Sequence, residues 1–200
     1  MREVRHRYVD PLDAIWLAMA RGFGLRVERS GEVYASTDGK GTLVLGAAET
    51  LDPDDCLAQM IFHELCHACV EAPSGLAEVD WGLDNVSDGD VIREHACLRL
   101  QAAVADRFGL RFVLAPTTDF RSFYDALDAD PLAGSSDDAR LAREAIVRFD
   151  APPFAPWVER GLVLTREVLD LVRAAESSTS TDSSLAAALH RRLDEPVSGD

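Results

Sequence analysis

Between residues 11 and 22 the apolar positions of the chain repeat at helical spacing, with Ile15, Leu17 and Met19 among them. Asp10 is suited to cap such a helix and Pro11 to its first turn. Three short runs then change to strand character: LRVERS (25–30), EVYAST (32–37) and TLVLG (42–46). Gly31 separates the first pair and DGKG the second, so both connections read as hairpin turns. A long helix is expected from about Pro53, with Asp52, Asp54 and Asp55 at its positive end. An irregular stretch, LAEVDWGLDNVSDGD, precedes a second long helix over about 89–109. LRFVLAP reads as a strand or extended return. Helices follow over roughly 118–128, 136–148 and 156–175.

This order predicts an α+β fold: an N-terminal helix, a small three-stranded sheet, two long helices and an all-helical C-terminal half. Residues 1–175 are expected to form one domain, with 111–175 as its helical part. Residues 176–200 read as a flexible Ser/Thr-rich tail ending in a short amphipathic segment, SLAAALHRRLDE. That segment has the pattern of a partner-docking helix, although chain ends of this kind are commonly unstructured.

Composition narrows the function classes. Apolar residues make up 47% and charged residues 28% of the 200, which is ordinary for a globular chain. The formal charge of −15 and the single lysine, Lys40, argue against a nucleic-acid partner. No apolar run is long enough to span a bilayer. Asp10, Pro11 and Asp13 interrupt any signal-like segment at the N-terminus, so a cytoplasmic protein with reduced thiols is expected.

The candidate chemistry lies in QMIFHELCHACVEAP (59–73), expected deep within the first long helix. His63 and His67 are four residues apart, which places two imidazoles on one helix face about 6 Å apart, able to converge on one metal ion. Glu64 is swung out of that set but can reach a zinc-activated water as its general base. The competing reading is a pair of histidines packed in a neutral core.

A catalytic zinc site needs a third protein ligand. Val70 and Pro73 stand where an extended HExxHxxGxxH motif needs Gly and His, so that extension fails. Glu94 and His95, early in the second long helix, are the next candidates. At about 100° per residue His95 falls about 40° from Arg99, on the solvated arc with Asp106, whereas Glu94 falls about 140° away. Glu94 thus shares the arc of Cys97, Gln101, Val104 and Phe108, where a buried acid needs a counter-charge. Glu94 is the expected third ligand and His95 the alternative. A salt bridge to an arginine is the non-metal explanation of Glu94.

His63-Glu64-x-x-His67 followed by a glutamate on the next helix resembles the gluzincin branch of HExxH zinc metallopeptidases. The element order over about residues 10–110 resembles its small ImmA/IrrE-type members. The resemblance implies a zincin-like fold with zinc held by His63, His67 and Glu94, and Glu64 as the base. It also implies that the last strand before the motif helix, residues 41–46, is an edge strand receiving an extended substrate. Cys97 and Leu98 depart from the small polar residues often found after the third ligand. SprT-like proteases share the HELCHA pattern but use a nearer third histidine, and residues 68–94 contain none.

The chain is therefore expected to be a zinc-dependent metallopeptidase that hydrolyses a peptide bond of an intracellular protein or peptide. The alternative is a non-proteolytic zinc-binding regulatory protein on the same scaffold. His95, Tyr124 and Tyr34 are candidate donors to the oxyanion. Cys66 and Cys69 form a C-x-x-C within one helix, and with Cys97 they read as core packing rather than a second metal site.

Overall fold

The first helix, α1, runs from Pro11 to Phe23, and the Asp10 side chain accepts from the Leu12 N–H as its cap. The structure, a computed structural model, describes residues 8–84 and 90–179. Gly24 closes α1 in the left-handed region (φ 107°), and Leu25 turns back with its N–H on Ala20 O. Strands β1 (Arg26–Ser30), β2 (Ala35–Thr37) and β3 (Thr42–Gly46) follow. The remaining helices are α2 (Leu57–Glu71), α3 (Val91–Asp106), α4 (Arg121–Asp125), α5 (Asp137–Phe149) and α6 (Trp157–Thr179). The described residues thus form an α+β arrangement of six α-helices and one small mixed sheet. None of the described helices is long and apolar enough to cross a membrane.

The sheet departs from the expected pair of hairpins. Its order is β1-β3-β2, with β3 antiparallel to β2 but parallel to β1. The turn between β2 and β3 is the anticipated one: Asp38 Oδ1 accepts from the N–H groups of Lys40 and Thr42, and Gly39 and Gly41 both have positive φ. Gly31 does not make a hairpin. β3 is paired along both edges, and Leu43 and Leu45, two residues apart and so on one face, are fully buried, whereas β1 is exposed or half-buried along its length. β3 is therefore central, and the edge position expected of residues 41–46 falls instead to β1 and β2, of which β2 lies on the side of the cleft described below.

Other elements differ in extent from those anticipated, most being shorter and α6 running past residue 175 into the expected tail. α2 starts at Leu57 rather than near Pro53, and Cys56 Sγ accepts from the Gln59 N–H at its N-terminus. The upstream acids are used in the loop instead: Asp55 accepts from Tyr34 Oη (2.7 Å), from the Asp52 N–H (2.9 Å) and from the Thr117 hydroxyl. Residues 111–114 form turns, not a strand, because Val113 and Leu114 both return their N–H groups to Leu110 O. α4 is a five-residue helix, and α6 continues to Thr179.

Every residue of α2 from Leu57 to Val70 is buried, so the helix passes through the middle of the molecule rather than over its surface. It packs against α1, α3 and α5. Phe62 meets Trp16 of α1 at a ring separation of 5.1 Å, and Trp16 Nε1 donates to Thr165 Oγ1 of α6 at 3.0 Å. Contacts divide the chain into two units, Met1–Arg166 and Glu167–Asp200. In the second, the described part is the end of α6, which exposes Leu171 and Val172. The amphipathic segment SLAAALHRRLDE lies outside the described residues.

A buried helix leaves its last carbonyls without water, and here Arg148 of α5 supplies the donors. Its Nε and Nη2 reach Cys69 O and Val70 O, each at 2.9 Å, adding positive charge at the negative end of the dipole. Replacing Arg148 with Met should lower stability by about 1.5–3 kcal/mol in urea unfolding. An unchanged midpoint would show that this cap contributes nothing.

Candidate metal centre

Because α2 is buried all round, its polar residues must find partners inside the protein. His63 and His67, one turn apart, approach through Nε2, 3.1 Å from each other, with their rings nearly perpendicular at 86°. Glu94 reaches them from the first turn of α3. Its Oε2 lies 3.0 Å from His67 Nε2 and its Oε1 3.7 Å from His63 Nε2. The two histidines and the glutamate singled out by sequence are thus brought together. His95 is turned elsewhere: it stacks on Phe123 at 3.7 Å and meets Phe120 edge-on, so α4 partly covers the arc expected to be solvated.

The far side of His63 is also occupied. Gln101 donates its amide N–H to Leu114 O (2.8 Å), which turns its carbonyl oxygen to His63 Nδ1, also at 2.8 Å. That nitrogen must then carry the ring proton, and the Nε2 lone pair points to His67 and Glu94. Orientation of a ligand imidazole by an outer hydrogen bond of this kind is what a metal site requires.

Burial alone would lower the pKa of His67, but the adjacent Glu94 charge outweighs it and raises the pKa above the usual value. Against its own burial, the same pairing holds the Glu94 carboxyl well below the usual carboxylate range. Within the two histidines and Glu94, His67 Nδ1 and Glu94 Oε1 are buried without a hydrogen-bond partner, as is Gln59 Oε1 on the same helix.

Cys97 adds a donor that sequence reasoning assigned to packing. His63, His67 and Cys97 each offer a ligand atom, all within 4.8 Å of one another, and this buried group could hold a metal ion. Its sulfur lies 3.9 Å from His63 Nδ1, the nitrogen already bound to Gln101, and 3.7 Å from His63 O. Burial pushes the Cys97 thiol well above its ordinary pKa. Among the other thiols, Cys69 donates to Ala145 O at 3.2 Å, and all four cysteines are free.

Glu64 diverges from the ligand cluster as its i+1 position dictates, and its Oε2 accepts from Trp81 Nε1 at 2.9 Å. Trp81 sits where Asp80 (φ 50°), Trp81 (φ 58°) and Gly82 (φ 76°) are successively left-handed. For the two non-glycine residues this costs on the order of 1–3 kcal/mol each. The segment is pinned by Asp80 Oδ1 on the Thr37 N–H (2.9 Å) and by Arg93 Nη1 on Gly82 O (2.9 Å). At Gly75 a Cβ would stand 2.5 Å from Trp81 O, so only glycine fits there.

His63, Glu64, His67 and Glu94 all line one cleft of about 500 Å³, together with Trp81 and residues 33–36 at the free edge of the sheet. No family model, no curated protein and no solved structure matches the chain. The chemistry of the cleft therefore rests on its own residues. Of the three expected oxyanion donors only Tyr34 lines it, and its hydroxyl is committed to Asp55; burial and that bond push its pKa up to about 12. Tyr124 is fully buried and donates to Arg111 O.

Neither Gln101 nor Trp81 was identified as a site residue from the sequence. Gln101 carried a weak signal, as a buried-arc polar residue two turns beyond Glu94. Long-range ¹H–¹⁵N NMR at a pH where His63 is neutral should find it as the Nδ1–H tautomer. Gln101→Leu should yield a mixture of tautomers, and an Nε2–H form in the unaltered protein would refute the assigned orientation.

Proposed function

We propose that the chain is a zinc-dependent metallopeptidase with a zincin-like site, in which His63, His67 and Glu94 hold the metal and Glu64 is the general base. The observation that carries this reading is the convergence of two imidazole Nε2 atoms and one carboxylate in a single cleft, with a second carboxylate turned aside from them. Glu94 Oε1 is buried there without a hydrogen-bond partner, an arrangement a cation would compensate. Two imidazoles and a carboxylate suit zinc with an open position. Glu94 is preferred to Cys97 because its oxygens face the Nε2 atoms, whereas the sulfur stands on the Nδ1 side of His63. The gluzincin-like order of these residues along the chain supports the same assignment.

Zinc, when bound, supplies Lewis-acid polarisation of the scissile carbonyl and of water. Glu64 takes a proton from the attacking water and returns it to the departing amine nitrogen. Trp81 holds that carboxylate in place through its indole N–H. An extended peptide would run along β2. Gly46 N–H donates to Tyr34 O and Asp38 N–H to Thr42 O, so residues 34, 36 and 38 bond towards β3. Residues 35 and 37 turn outwards, and with Asp80 on the Thr37 N–H, Ala35 is the rung beside the cleft.

Purified protein should contain about one zinc per chain. Glu94→Ala should lose it, Cys97→Ser should keep it, and Glu64→Gln should keep it while peptidase activity falls at least about a hundredfold. A Glu64→Gln protein that still cleaves would remove Glu64 from the chemistry. Retained partner binding with no cleavage by the unaltered protein would favour a non-proteolytic role.

A further inference from the structure

We propose that the cleft takes its peptide by the amino end, with the Asp80 carboxylate receiving the α-ammonium group. The substrate class is then a short peptide or an accessible N-terminus, not the interior of an extended chain. This deepens the proposed function and rests on it for the hydrolysis; recognition of the ammonium rests on the residues below.

The first observation is how little of the sheet edge is open. β2 has only three residues, Ala35–Thr37, and its centre, Ser36, bonds towards β3. The outward N–H groups are those of Ala35 and Thr37, and Asp80 Oδ1 already takes the Thr37 N–H at 2.9 Å. Edge pairing therefore ends after one free rung, at Ala35, where a chain crossing the cleft would need several in succession. The closure is built into the fold. A Cβ on Gly39, in the β2–β3 turn, would stand 2.5 Å from Ala77 O, so the segment carrying Asp80 lies directly against that turn. Arg93 Nη1 holds its other end at Gly82 O. The cleft volume of about 500 Å³ is that of a small-ligand site.

The second observation is charge. Asp80 lines the cleft, is half-buried and has no ion-pair partner among the described residues. Its Oδ2 accepts no hydrogen bond among them either. A carboxylate so placed is stabilised by a cation that brings its own N–H donors. The lining contains no Lys or Arg, so apart from the proposed metal a substrate's C-terminal carboxylate would meet only Glu64, Asp80 and Glu94. A lysine side chain carries the same ammonium, but its main chain would have to continue past Asp80, where the edge is closed. A peptide that ends there satisfies both constraints.

The test is a titration of ¹⁵N-labelled full-length Glu64→Gln protein, used so that no peptide is consumed, following the Ala35 amide at about pH 7. An α-amino group is mostly protonated there. The probes are an alanine tetrapeptide amide, its N-acetylated form, and an N-acetylated form carrying one lysine. The free amine should shift Ala35 saturably, and acetylation should weaken binding roughly tenfold, with or without the lysine. Adding Asp80→Asn, which keeps an acceptor for the Thr37 N–H and tolerates the left-handed backbone, should abolish the difference. Equal binding of free and acetylated peptides, rescue by the lysine, a preference that survives Asp80→Asn, or no saturable shift would each overturn the proposal. The amine preference in a protein that takes up no zinc would support this site and remove only the metallopeptidase reading. Zinc-dependent cleavage indifferent to acetylation would do the reverse.

Discussion

A helix buried along nearly its whole length can carry two histidines and a glutamate only where their charges are compensated inside the protein, and α2 carries His63, Glu64 and His67 at its centre. An uncompensated buried charge costs several kcal/mol, enough to consume a large part of a domain's net stability. Much of the surrounding structure answers that constraint. Glu94 is brought to the histidines by α3, Gln101 takes the outer nitrogen of His63, and Trp81 takes Glu64. Arg148 takes the carbonyls at the end of the helix, and Arg93 pairs with Glu71 there.

The pattern of satisfaction is uneven, and the unevenness is informative. The outer nitrogen of His63 is paired with Gln101, while the outer nitrogen of His67 and Glu94 Oε1, which faces the Nε2 side, are not. A cluster built only for packing would be expected to saturate its own hydrogen bonds. The left-handed backbone at Asp80 and Trp81 points the same way: strain of that kind persists where surrounding contacts hold a side chain in a required place.

The main helices and the histidine pair were legible because helical periodicity is a local property. The four-residue spacing puts His63 and His67 on one face whatever surrounds them, and the angle between Glu94 and Arg99 assigns Glu94 to the inner arc. Strand order was not legible. Gly31 and DGKG look alike as turn signals, and only the tertiary pairing distinguishes them: β3 lies between β1 and β2, so the strands on either side of Gly31 do not meet. The start of α2 was misplaced because Asp52 and Asp55 resemble helix-capping residues, whereas Asp55 is spent on Tyr34 and Thr117, distant in sequence. Trp81 was invisible for a related reason: nothing in VDWG announces two non-glycine residues in the left-handed region.

The central claim is that Glu94, not Cys97, completes a zinc site with His63 and His67. X-ray absorption at the zinc edge of the zinc-loaded protein tests it most directly, since sulfur and nitrogen or oxygen ligands differ in bond length. A first shell of nitrogen and oxygen alone, near about 2.0–2.2 Å and with the outer-shell signature of two imidazoles, is the expected result. A sulfur scatterer near about 2.3 Å would put Cys97 in place of Glu94, and a protein that takes up no zinc would contradict the metal centre altogether.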